Sequence, residues 1–210
     1  MPKGMTKRRP ETQARMLDAA VEAFVELGYT GASIGEICKR AGYTTGAFYS
    51  NWSTKDELFY ALFDAHAAKA IDRIADKLAA VDVQTLTLEQ FATHLADVGP
   101  EERTWFIIST EFTLYAVRTP EAARVLAAHE AKVRAALTPI LEIVLTRAGA
   151  EHHVDLDSFA RLAIALREGA LMQSLVEPDE LPPGTLERRY LPQLIRAAAT
   201  QAQAPDPANG

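Results

Sequence analysis

The chain has 210 residues, room for one large or two small domains. Its 48% apolar share supports a sizeable core, no uninterrupted apolar run is long enough to span a membrane, and the basic N-terminus "MPKGMTKRRPETQ" runs into polar sequence, which argues against a secretory signal. A formal charge of −6 argues against a nucleic-acid partner, but residues 1 to 55 carry eight Lys and Arg against five acids, so a basic head precedes an acidic body.

The single cysteine, Cys38, excludes an internal disulfide and fits a reducing, cytoplasmic compartment. Set among Ile34, Ile37 and Ala41 at helical spacing, it reads as a small core residue.

Apolar positions recur at three and four along the chain, without strand alternation between hairpin turns, so the fold class is all-α. The first helix is predicted from about Pro10 to Leu27, with Met16, Leu17, Ala20, Val21, Phe24 and Leu27 on one stripe and Gly28 as the stop. The second spans Ser33 to Ala41, with Ser33 and Glu36 as a capping box and Gly42 ending it. The third starts at Thr44 and is short. The fourth starts at Thr54, capped through Glu57, and runs to about Ala80, long enough to tie two domains together.

Beyond it, Thr87 with Gln90 caps a helix to about Val98, Gly99-Pro100 opens one to about Val117, and Thr119-Pro120 opens one that stops at Gly149. Pro139 lies inside that last pattern and is expected to kink or split it. Asp155 to Val176 and about Thr185 to Ala202, the latter disturbed by Pro192, are the remaining helices, making about nine in all. The tail "APDPANG" has too few apolar residues to order itself.

Helices two and three are joined by a short turn containing Gly42, which is the helix-turn-helix arrangement whose second helix enters the DNA major groove. The third helix is small and polar for a core element: Thr44, Thr45, Gly46, Ala47, Ser50 and Asn51 allow close approach and offer hydrogen bonds to phosphates and base edges. Phe48 and Trp52, four apart, share a face and should pack on the first helix. Tyr49 is rotated away and is free to lie across a sugar-phosphate backbone, while Lys55 in the first turn of helix four is placed to bind a phosphate.

The run "YTGASIGEICKRAGYTTGAFYSNWSTKDEL" resembles the DNA-binding head of the tetracycline-repressor (TetR) family over about Gln13 to Leu62. The resemblance lies in a Gly-aromatic after helix one, a Ser opening helix two, an Ala-Gly turn, Gly-x-x-Tyr in the recognition helix, then an aromatic, a polar turn and a Lys opening helix four. It implies an all-helical homodimer: a three-helix DNA head, joined by a long fourth helix to a ligand-binding and dimerisation body whose interface uses the last two helices. The domain division it suggests is 1–56 for the head with its basic arm, 57–203 for the body and 204–210 for the tail. Carried onto this chain, Ser33 and Thr44 are caps within reach of phosphate, Thr45, Gly46 and Ala47 face base edges, Tyr49 and Asn51 hold the backbone, and Lys55 binds phosphate. Gly35 stands where members often carry a longer polar or basic side chain, and Trp52 where phenylalanine is usual. With so few long polar side chains in the recognition helix, specificity is expected to draw on DNA shape, water and the arm at Lys7, Arg8 and Arg9.

In the body, "ERTWFIISTEFTLYAV" has two readings. It is a core helix with an exposed Glu, or Trp105, Phe112 and Tyr115 line an apolar cavity with Phe63, Phe91 and Met172, in which Glu111 or His94 orients a ligand. Phe159, Leu162, Ala163, Leu166 and Gly169 form an apolar stripe with small residues, the candidate dimer face together with the last helix. The five histidines lack metal-site spacing, His152-His153 falls in a loop, and no nucleophile motif or phosphate loop is present, so no metal, cofactor or enzymatic activity is expected. The sequence therefore points to a homodimeric repressor that binds a pseudo-palindromic double-stranded DNA operator and is released by a small, largely apolar effector. The rival reading is a helical ligand-binding or enzymatic protein whose head serves protein interaction.

Overall fold

The computed structural model describes residues 8–80, 87–96, 99–149 and 154–202; Lys7, His152-His153 and the C-terminal tail lie outside them. These residues form nine α-helices: α1 (Arg8–Gly31), α2 (Ile34–Ala41), α3 (Thr45–Tyr49), α4 (Lys55–Ala79), α5 (Leu88–Leu95), α6 (Pro100–Arg118), α7 (Pro120–Arg147), α8 (Leu156–Val176) and α9 (Thr185–Ala202). No strand occurs among the described residues, and no helix of theirs is long and apolar enough to cross a membrane. The chain divides into two compact units, one of Met1–His66 with Arg103–His129 and one of Ala67–Glu102 with Glu130–Gly210.

The first unit holds α1 to α3, the first half of α4, most of α6 and the start of α7. Its helix ends are those the caps dictate. Ser33 Oγ accepts from the Glu36 amide at 3.1 Å, and Gly42, at φ 75°, lets the Tyr43 amide return to the Cys38 carbonyl at 2.9 Å. Helix α1 departs from the expected stop. Gly28 breaks the helical path at φ 72°, ψ 161°, and one more turn follows to Gly31. The break frees the Tyr29 amide from the helical ladder, and the Glu111 carboxylate of α6 accepts it at 2.7 Å.

Aromatic rings dominate this core. Phe24, Tyr29, Phe48, Phe59 and Phe112 are fully buried, with Phe59 and Phe112 stacked at a centroid distance of 3.6 Å and Phe112 edge-on to Tyr29 at 4.7 Å. Burial of each ring stabilises the unit by about 1.5–3 kcal/mol before the ring geometry adds more. Cys38 sits in the same core.

The second unit is built from the far halves of α4 and α7 with α5, α8 and α9. Thr87 and Gln90 form the anticipated reciprocal cap of α5. Its core is mainly aliphatic, from Leu141, Val144, Leu145, Leu191 and Ile195, with Phe91 and Phe159. Helix α7 is not split at Pro139, and α9 runs through Pro192. In both, the residue four earlier, Ala135 or Arg188, is exposed, so the carbonyl that loses its helical donor can face water.

Candidate nucleic-acid interface

Helices α2 and α3 are both too short to persist alone, and their shared purchase on α1 orients the third. Phe48 is buried and Trp52 nearly so, with ring centroids 5.7 Å apart, in one cluster with Met16, Ala19, Ala20 and Ala23 of α1. That anchoring turns the rest of α3 outward. Thr44, Thr45, Gly46 and Tyr49 are exposed, Ala47 and Asn51 half-buried, and Tyr49 retains 60% of its accessible surface. Thr44 caps α3 by accepting from the Ala47 amide at 3.3 Å, and Ser33, also exposed, caps α2. The sequence-based contact residues of the two short helices are thus exposed, except that Ala47 and Asn51 are half-buried and Asn51 is tied to the protein by its own hydrogen bonds. Its amide Nδ2 donates to the Ala47 carbonyl at 2.8 Å.

Lys55 occupies a different chemical setting from a free surface cation. Its ammonium donates to the carbonyls of Tyr29 at 2.6 Å and Ala32 at 2.7 Å and lies 4.5 Å from the centre of the Tyr29 ring. Two of the three N–H donors of a lysine are therefore committed to the end of α1. Partial burial pushes its pKa below the usual lysine value, opposed by the neighbouring Asp56 carboxylate. The N-terminus of α4 is also partly satisfied from within, since the Glu57 amide donates to Thr54 and the Ser53 amide to the Glu57 carboxylate.

Behind this surface lies a polar network that sequence reasoning did not find. Asp56 accepts from the Tyr29 hydroxyl through one oxygen and from the Tyr115 hydroxyl of α6 through the other, at 3.1 Å. Burial, then Asp56, raises the Tyr29 phenol far above the usual tyrosine range. With Glu111 on the Tyr29 amide, α6 grips the end of α1 and the start of α4 at several points. Only "Gly28-Tyr29" marked the spot in the sequence; nothing there ties it to a glutamate 82 positions away.

The other candidate residues divide between the units. Phe63, Trp105, Glu111, Phe112 and Tyr115 belong to the first, and Phe91, His94 and Met172 to the second. Phe112 is wholly buried among rings, Glu111 is engaged with Tyr29, and Met172 is half exposed. In the second unit a small cavity of about 40 Å³ is lined by Leu78, Thr87, Leu88, Phe91, Ile143, Val144 and Arg147. Of the candidate dimer residues, Phe159 is buried in the core, Ala163 and Leu166 pack partly against it, and Leu162 is exposed. Gly169 is half-buried, and a methyl placed there would meet no atom within 4 Å. Exposed Leu162, Met172 and Val176 continue that side of α8.

Known proteins agree with this architecture. Residues 16–62 match the model of bacterial regulatory proteins of the tetR family, and residues 85–201 that of the C-terminal part of BetI-type transcriptional repressors. An uncharacterized HTH-type transcriptional regulator of Mycobacterium tuberculosis is 26% identical over 203 residues, covering 92% of this chain and 96% of its own. Among solved structures, a TetR-family regulator from Rhodococcus superposes with a TM-score of 0.71 at 18% identity, over 90% of this chain and 99% of its own. The regulator FadR of Bacillus subtilis, solved with stearoyl-CoA, superposes with a TM-score of 0.63 at 17% identity, over 88% and 98%. An all-helical fold, a helix-turn-helix head and family matches covering both the head and most of the remainder agree: the chain belongs to the TetR family of transcriptional regulators.

Proposed function

We propose that this regulator is a repressor that binds a pseudo-palindromic operator as a homodimer and releases it on binding a small, largely apolar effector. The observation that carries the reading is the outward surface of α3. Small polar residues, Thr44, Thr45 and Gly46, face solvent beside an exposed Tyr49, while Phe48 and Trp52 pin the helix from behind. Such a surface can approach base edges closely at its N-terminal end, with Tyr49 and Lys55 toward the phosphates.

For dimerisation, the stripe of exposed Leu162, Met172 and Val176 with half-buried Gly169 on α8, beside Tyr190 of α9, is the contact face we favour. For the effector, the apolar cavity around Phe91 is the starting point, and it must open to admit more than water. The stearoyl-CoA held by the Bacillus subtilis regulator supports a ligand with a long apolar part. Effector and operator affinities must then oppose each other by the same factor. Within the first unit, α6 is the element able to report on the head, because Glu111 and Tyr115 hold Tyr29 and Asp56 directly.

The test is binding of the intact protein to duplex DNA by fluorescence anisotropy over a salt series. Affinity should fall steeply as salt rises, with a sequence enriched from a random pool bound more tightly than random duplex. Salt-independent or undetectable binding would favour the rival, a head serving protein interaction.

A further inference from the structure

The recognition surface carries a long cation that the sequence pattern of α3 hides. Arg9, in the first turn of α1, donates Nε to Asn51 Oδ1 at 3.2 Å and Nη2 to the Ser50 carbonyl at 3.3 Å. Both acceptors stand at the C-terminal end of α3. Asn51 is committed on its other side as well, with Nδ2 donating to the Ala47 carbonyl at 2.8 Å and to Ser50 Oγ at 3.3 Å. Both amide hydrogens are thus directed at the protein, and its oxygen at Arg9. A base reader would need them free.

Arg9 is the complementary case. It is exposed, and two of the five N–H donors of a guanidinium are used, so the outer edge of the fork is available. Glu11, the neighbouring acid on α1, pairs with Arg15 at 3.6 Å. A recognition helix presents its N-terminal residues to base edges, so Arg9 sits at the end of α3 facing away from them, where the nucleic-acid backbone passes.

We infer that Arg9 clamps a backbone phosphate at the C-terminal end of α3, and that Asn51 is a positioning residue that holds the guanidinium rather than a reader of bases. The inference rests on the DNA-binding reading above and adds a division of labour to it. The small residues of α3 meet the bases, and a side chain from another helix supplies the charge they lack. Because both bonds of Arg9 are solvent-exposed, its loss should leave the fold intact.

The experiment measures binding of the intact protein, as wild type, Arg9→Ala, Arg9→Lys, Asn51→Ala and the Arg9→Ala/Asn51→Ala double variant, to random duplex and to a pool-enriched duplex. Arg9→Ala should weaken binding to both duplexes by about 10- to 100-fold, the worth of a charge-assisted hydrogen bond, and lower the salt slope by about one. Asn51→Ala should produce part of that loss, and the double variant no more than Arg9→Ala alone. Arg9→Lys should keep most of the salt slope while binding both duplexes more weakly than wild type, since lysine has no fork to be held.

Unchanged affinity in Arg9→Ala with normal salt-dependent binding by wild type would overturn the inference alone. A loss confined to the enriched duplex would make Arg9 a base contact and overturn the phosphate assignment. Additive effects of the two substitutions would overturn the positioning role of Asn51. Absence of salt-dependent binding by wild type would remove the DNA reading and the inference together. Matching thermal unfolding curves for the variants establish that the fold is unchanged.

Discussion

The two units solve the problem of a buried core with different chemistry. The first packs rings whose hydroxyls and neighbouring amides are hydrogen-bonded: Tyr29 and Tyr115 to Asp56, and the Tyr29 amide to Glu111. The second packs aliphatic side chains around buried charges. Glu102 meets Arg73 and Arg167, Arg134 meets Asp157, and Glu187 is 3% exposed with neither oxygen hydrogen-bonded. A ring network with satisfied polar edges has few alternative packings, which suits a surface that must hold α3 in one orientation. An aliphatic core carrying an unpaired buried carboxyl forgoes stability that an apolar side chain would restore.

The sharpest way to break this contrast is to remove a ring. Phe59→Ala, deleting a fully buried side chain stacked on Phe112, should cost about 3–5 kcal/mol in urea unfolding. A cost near that of a surface substitution would show that the stack does not hold the first unit together. In the second unit the sign should reverse. Glu187→Met replaces the unpaired carboxylate by an apolar chain of similar length and should raise stability by about 1–3 kcal/mol. A loss of stability instead would mean that the carboxylate is engaged in the folded protein.

A pair of glycine substitutions refines the comparison at smaller scale. Gly28→Ala forces φ +72° on a residue with a side chain and sets its Cβ 2.9 Å from Glu111 Oε2. It should destabilise the first unit by about 1–3 kcal/mol and disturb the Glu111 to Tyr29 bond. Gly169→Ala meets no neighbouring atom within 4 Å and should stabilise α8 by about 0.5–1 kcal/mol. Sedimentation of the same variant reports on the proposed dimer face, where an added methyl should weaken association; unchanged association would place the interface elsewhere.

Helix order, caps and the helix-turn-helix were readable because each depends on neighbours in sequence. Ser33 with Glu36, Thr44 before a short polar helix, and Thr87 with Gln90 are local chemistry, and the structure places Ser33, Thr44 and Thr87 as N-caps, although the Glu36 carboxylate accepts from Arg40 instead of closing its capping box. The assignment of Phe48 and Trp52 inward and Tyr49 outward followed from helical angle alone. Partnerships across the chain were not readable. Glu111 was a candidate ligand group until Gly28 exposed the Tyr29 amide to it. Nothing near Lys55 in the sequence tells that the carbonyls of Tyr29 and Ala32 draw in two of its three donors.

What the sequence by itself determined is therefore the all-α class, the position of the helix-turn-helix head and the outward face of α3, since periodicity and capping operate within a few residues. Only the tertiary structure decided that α6 packs in the same compact unit as the head, that Asp56 joins Tyr29 to Tyr115, and that Arg9 reaches Asn51. Those pairings bring together groups 27 to 59 positions apart. Their closeness is set by how the rings pack, which no local pattern encodes.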